Sequence, residues 1–410
     1  MISQKDLARV RSLANHQLEL AHSERNQSLY RDWQAHGRMD GSGRPMVTIE
    51  LWTFGEELVQ PRLICETPEG RELEAMLVGN LLNFEQFHDD SILRDYIPVS
   101  ASYHMVPFGL PALREETGGL GHRVIPQIQD LAADFAKLGK STVNKDIKPA
   151  YDRIAYLNSL IGDILPARLT GGMLGISPMG NVVRIMSMEN MFIAMCDEPE
   201  LFHQMMDMQT RDFIEMIELM EQDGILLPTT SDQWLCQGSY CFTSDLPSTG
   251  EHLKTTQVWG YMDSQETSGV SPEMFHEFVF PYYKRIADRF GLLSYGCCEA
   301  VHSIWADSVS HFQNLRKVSI SPWCDEEYMG EALRGRKVVF HRKPSPNFIG
   351  VDRHIDEATL KPYLARTAKA ARGLTLEFSQ RDVYTVHGDI DKVARYVTLI
   401  REACEQYWRP

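Results

Sequence analysis

GLLSYGCCE (291–299), RKVSISPWC (316–324), RKVVFHRKP (336–344) and LTLEFSQRD (374–382) are four short apolar runs near the end of the chain. Helical patterns at 271–290, 301–314, 325–334 and 355–372 precede them in turn, and one at 389–406 closes the chain. Strand and helix patterns alternating at this spacing imply parallel strands joined by right-handed crossovers. A closed barrel and an open doubly wound sheet both satisfy that alternation. No GxGxxG follows the first strand and no Walker loop occurs, which weakens the nucleotide-binding open sheet. The expectation is an α/β fold, a (β/α)8 TIM barrel.

Working outward, 186–222 reads as helix, with a stripe through Met205, Met208, Phe213, Met216 and Met220. The turn at 223–224 leads into ILLPTTSDQW (225–234), expected as a strand, and Ser271 with Pro272 opens the helix at 271–290. At the N-terminus, Leu7, Val10, Leu13 and Leu20 recur at helical spacing across 3–36, with Ser3 as cap. MDGSGRP (39–45) breaks that helix, and MVTIELWTF (46–54) reads as a buried strand. A helical extension over 1–45 therefore precedes a barrel over 46–410. After that strand lie helical candidates at 69–88 and 125–139 and extended pieces at 96–107.

The 410 residues are 43% hydrophobic and 24% charged, an ordinary globular balance, with a net charge of −15. That charge disfavours nucleic acid and anionic membranes as partners. The first residues lack a signal-type apolar core, and no run approaches a membrane span, so the chain reads as cytoplasmic. Its eight cysteines (65, 196, 236, 241, 297, 298, 324, 404) are scattered and read as thiols.

Polar residues gather where strands give way to helices, which in a barrel is one face and the seat of active sites. Cys297 and Cys324 would project from neighbouring strand ends, and thiolates with carboxylates suit zinc. Glu299 and Asp382 are candidate third ligands. Cys298 is read as core, because adjacent strand residues face opposite ways; Cys236 and Cys241 form only a weak pair. His341, Arg342 and Lys343 are expected to bind an acidic group of a small-molecule substrate. Arg381 would orient a carboxylate, Asp232 would act as a general acid, and Glu50 would face the same cavity.

SGVSPEMFHEFVFPYYKRIADRF (268–290) and CDEPELFHQMMDMQTRDFIEMIELMEQDGILL (196–227) resemble helices of the uroporphyrinogen decarboxylase superfamily; with the final strands, the resemblance covers about 160–405. The superfamily holds decarboxylases and zinc methyltransferases that exchange methyl groups with a corrinoid protein. The Arg-rich N-terminal motif and last-strand Gly-His-Gly of the decarboxylases are missing here. The methyltransferases' His-x-Cys corresponds to Tyr295-Gly296-Cys297, and their last-strand cysteine falls at Asp382. The resemblance thus implies a methyltransferase acting on a methyl ether, amine or thiol, with zinc and a partner-held corrinoid as cofactors. A lyase acting on a carboxylated substrate is the alternative. Tyr295 joins Asp232 and Arg381 as the expected catalytic groups.

Overall fold

The computed structural model describes residues 2–51, 53–118 and 121–409. Ser3 accepts the Asp6 N–H at 3.1 Å and opens the helix Gln4–Ala21; Ser23 accepts that of Asn26 and opens Glu24–Arg38. The expected single helix over 3–36 is therefore two, divided where a second serine caps. Met39, in the left-handed region at φ 54°, ends the pair before the strand Met46–Ile49.

Seven parallel strands form the main sheet, in the spatial order Met46–Ile49, Leu376–Gln380, Val339–Arg342, Leu315–Ile320, Leu292–Tyr295, Trp259–Met262, Leu174–Ile176. The last strand in sequence pairs with the first (Met46 opposite Glu377, Ile49 opposite Gln380), and every other neighbour is the next in sequence. A doubly wound sheet reverses its order at a switch point. This one does not, and the chain is an α/β barrel.

Where an eighth stave would pair with Met46–Ile49, side chains close the edge. Asp90 takes the Val47 N–H through Oδ2 (2.7 Å) and donates its own N–H to Val47 O (2.7 Å). Asp89 takes the Ile49 N–H (2.8 Å), and Asn83 Nδ2 donates to Ile49 O (2.8 Å). Edge backbone is satisfied without a strand. The segment 225–233, expected to be strand, has no regular structure. Pro228 removes a donor there, and Gln233 Oε1 takes the N–H groups of Thr230 and Ser231 at 3.2 and 2.9 Å, a local turn that competes with a ladder. The expected helix at 301–314 is a run of turns with one short 3-10 turn, Val309–His311. Ser303 and Ser310 bond backward to Ala300 O and Ala306 O within it. The candidate at 125–139 shrinks to Leu131–Asp134 and Phe135–Lys137. Among the described residues no helix is long and apolar enough to cross a membrane.

Strand alternation stacks polar side chains inside the barrel. At the lower level Lys317 Nζ meets Glu377 Oε2 at 3.0 Å, both fully buried. Above it, Thr48 Oγ1 lies 3.0 Å from Ser379 Oγ, which lies 2.7 Å from His341 Nε2. A two-stranded hairpin, Trp234–Cys236 with Ser239–Tyr240, enters this interior. Lys317 Nζ donates to Ser239 Oγ (2.6 Å) and Tyr240 O (2.9 Å), and Thr48 Oγ1 donates to Gly238 O (2.6 Å). Gly238 has φ +83°, and a Cβ there would lie 2.7 Å from Ser379 Oγ and 2.8 Å from Ser379 Cβ. We therefore expect Gly238→Ala to cost about 2–3 kcal/mol from backbone strain and overpacking together. Urea unfolding at neutral pH measures it; a loss below about 0.5 kcal/mol would show that the hairpin is loosely held.

Candidate active site at the barrel mouth

All seven strands point the same way, so the residues that follow them share one rim: Glu50, Ser177, Asp263, Gly296–Glu299, Ser321, Lys343 and Arg381. The sharpest structure is the turn after Leu292–Tyr295. Gly296 has φ +98°, which ends the strand. Glu299 Oε2 takes the Cys297 N–H at 2.7 Å, while its Oε1 takes the Ser264 N–H at 2.9 Å. Ser319 Oγ donates to Cys297 O at 2.7 Å. Cys297 is thus pinned at both its N–H and its carbonyl.

Because the strand has ended, alternation no longer governs 297 and 298. The reading of Cys298 as core is corrected: it is exposed, and its Sγ lies 3.6 Å from Cys297 Sγ. The hydrogen bond from Cys297 draws the Cys298 thiol down to about 7, with burial opposing and Lys343 assisting. Cys297, 7% exposed, keeps its proton: that same bond and burial push it upward.

Alternation does govern 341–343, and it divides the expected basic trio. His341 and Lys343 face inward; Arg342 faces outward. Arg342 donates to Ile320 O (3.1 Å) and Ser321 O (2.6 Å), and pairs with Glu326 at 3.2 Å behind the sheet. It is a structural ion pair and leaves the candidate set. His341 sits below the mouth on Ser379, and burial lowers its pKa to about 3. Lys343 stays. It is 3% exposed, and its Nζ has no hydrogen-bond partner among the described residues. Burial lowers its pKa, Cys297, Cys236 and Glu299 oppose that, and Arg381 adds to it.

Arg381 Nε lies 3.1 Å from Asp382 Oδ2 and 3.5 Å from Glu50 Oε2, a charged rim beside Lys343. Opposite it stands a group absent from the sequence-based candidates. Asp263 accepts from Ser177 Oγ (2.6 Å) and Tyr261 OH (2.8 Å), and Gln237 Nε2 in turn donates to Tyr261 OH. Nearby Glu266 has an unpartnered buried Oε2, and burial raises it to about 7. All depend on the strand Trp259–Met262, only four residues long and without alternation. The run WGYMD (259–263), apolar residues ending in an acid, was its signal.

Three further candidates fall elsewhere. Asp232 takes Tyr30 OH (2.8 Å) and Tyr96 OH (2.9 Å) on its two oxygens and lies 3.5 Å from Arg94 Nε. It ties the N-terminal helices to the barrel, and both its oxygens are committed there as acceptors. Tyr295 is fully buried against Phe312, its OH 2.6 Å from Ser264 Oγ, so it positions the Glu299 turn from behind. Cys324 packs in the apolar core; burial raises its thiol to about 12, and its charged neighbours are Arg342, Asp325 and Glu326.

The expected ligand set therefore does not assemble: among the described residues no three or more His, Cys, Asp or Glu side chains form a metal-holding group. Cys324 belongs to another neighbourhood, and both Glu299 oxygens are taken by N–H groups. These residues do not fit zinc as expected. A cavity of about 1280 Å³ lies at the opposite end of the barrel, among Arg25, Arg44, Asp90, Val338, Leu374 and Trp408. It is remote from this chemistry.

No family model matches the chain, and no curated protein matches it in sequence. In structure it is similar to a methyltransferase from Methanosarcina mazei, with a TM-score of 0.51 and 14% identity, over 92% of this chain and 98% of that one. At that identity the likeness speaks for the fold alone, and the chain shares an α/β barrel architecture with that methyltransferase.

Proposed function

We propose that the chain is a methyltransferase that moves a methyl group between a small methylated ether, amine or thiol and a corrinoid held by a partner protein. The observation that carries the reading is Lys343: a buried donor with no partner, at the rim where barrel enzymes place their chemistry. The corrinoid, when present, supplies the nucleophile. The chain's own residues act on the other end of the breaking bond. As the methyl carbon parts from its heteroatom, that atom gains basicity, and the Lys343 ammonium hydrogen-bonds it and hands over a proton. The Glu50–Arg381–Asp382 rim orients a charged tail of the substrate.

The purified chain with free cob(I)alamin and panels of methyl ethers, methylamines and methyl thioethers tests this by absorbance. Methylcobalamin should form at least tenfold faster than in the protein-free blank with one class of donor. Rates equal to the blank with every class would overturn the reading. A second reading, a lyase acting on a carboxylated substrate, is favoured by Lys343 standing beside Arg381. It predicts carbon dioxide release without methyl transfer.

A further inference from the structure

The turn at 296–299 brings the sulfurs of two consecutive residues together and holds Cys297 at both its N–H and its carbonyl. Gly296 at φ +98° turns the chain out of the strand, Glu299 holds the Cys297 N–H, and Ser319 holds the Cys297 carbonyl. The outcome is a pair of Sγ atoms 3.6 Å apart, close enough for one atom to bond both. Cys298 opens to solvent while Cys297 lies beneath it. Lys343 and Arg381 favour electron-rich sulfur at this spot, Asp382 opposes it, and no disulfide joins the pair.

We propose that Cys297 and Cys298 form a preorganised dithiol site for thiophilic trivalent arsenicals of the mono-organic class. Such a ligand offers two exchangeable positions and keeps its third for carbon, so it needs two sulfurs and no more. Cys236, the next thiol at the mouth, is not required. The step balances without a redox partner. Two As–S bonds form, the arsenic–oxygen bonds break, and the two thiol protons leave with that oxygen as water; arsenic stays trivalent. The fixed turn lowers the ordering cost that a flexible pair would meet on chelation. The inference does not rest on the methyl-transfer reading.

Phenylarsine oxide is the probe, applied to the reduced full-length chain, with intact mass and peptide mapping after alkylation of the unprotected thiols. One adduct per chain is expected, protecting Cys297 and Cys298 at a reagent concentration at least tenfold below that needed to modify any other cysteine. Cys298→Ser, at an exposed position, should fold normally by circular dichroism and weaken the adduct at least tenfold. Cys196→Ser and Cys236→Ser should leave it unchanged. No adduct, an adduct that survives Cys298→Ser, or protection mapping to other thiols would each overturn the proposal, whatever the methyl-transfer assay gives.

Discussion

Replacing Lys317 by methionine is expected to remove about 3–5 kcal/mol of stability, the usual cost of leaving a buried charge without its partner. Lys317 sits in the barrel interior, donating to Glu377 Oε2 (3.0 Å), Ser239 Oγ (2.6 Å) and Tyr240 O (2.9 Å). Methionine fills the same space but strands the Glu377 carboxylate and releases the inserted hairpin. Burial alone would raise Glu377; Lys317, His341 and His36 outweigh it and hold the group at about 2. Because that pKa lies below the unfolded value of 4.5, the pair's contribution is fully present above about pH 4.5. It fades as pH falls toward 2. Urea unfolding of parent and variant at pH 7, 4 and 2.5 should therefore show a gap that is largest at pH 7 and narrows with acid. Lys317→Met/Glu377→Gln should recover most of the loss, since two neutral groups carry no stranded charge. A single variant within about 1 kcal/mol of the parent at pH 7 would show that water reaches the pair.

The last third of the chain was legible because its strands are written as apolar β-branched runs bounded by polar ends. Val339–Arg342 and Leu376–Gln380 fall inside RKVVFHRKP and LTLEFSQRD, the helix Glu357–Ala370 falls inside 355–372, and Ile390–Tyr407 departs from 389–406 by one residue at each end. Trp259–Met262 carries no such mark, and the acids around it, Asp263 and Glu266, were lost with it. The segment 225–233 has the composition of a strand, but Gln233 satisfies its backbone locally, a side-chain preference that periodicity does not report. Alternation explains the fate of the candidate residues. Applied to 341–343 it would have separated Arg342 from Lys343. Applied to 297–298 it misled, because Gly296 had already turned the chain out of the sheet. Asp232 drew notice as an acid at an expected strand end, and only the folded chain brings Tyr30 and Tyr96, distant in sequence, onto its two oxygens.

Lys343→Met is expected to make the protein more stable and less active, a combination that a purely structural lysine does not give. A buried donor without a partner costs the fold about 1–3 kcal/mol. Here Cys297, Cys236 and Glu299 offset the burial only in part, Arg381 adds like charge, and among the described residues no group hydrogen-bonds the amine. Methionine is nearly isosteric, loses the stranded amine and should raise the unfolding free energy by about that amount. Groups kept against stability mark sites where function outweighs folding. In the methyl-transfer reading Lys343 supplies the proton to the departing heteroatom, and its loss should lower the rate of transfer about 10²–10⁴-fold. Lys343→Arg keeps a cation but places a larger planar group in the same buried space, and should retain more activity than Lys343→Met while lacking its gain in stability. Chemical denaturation and the cob(I)alamin assay on the same preparations measure both sides. A destabilised Lys343→Met variant would mean that the amine finds a partner in solution. Unchanged transfer in a stabilised variant would remove Lys343 from the chemistry and leave the mouth to Glu266 and the thiols.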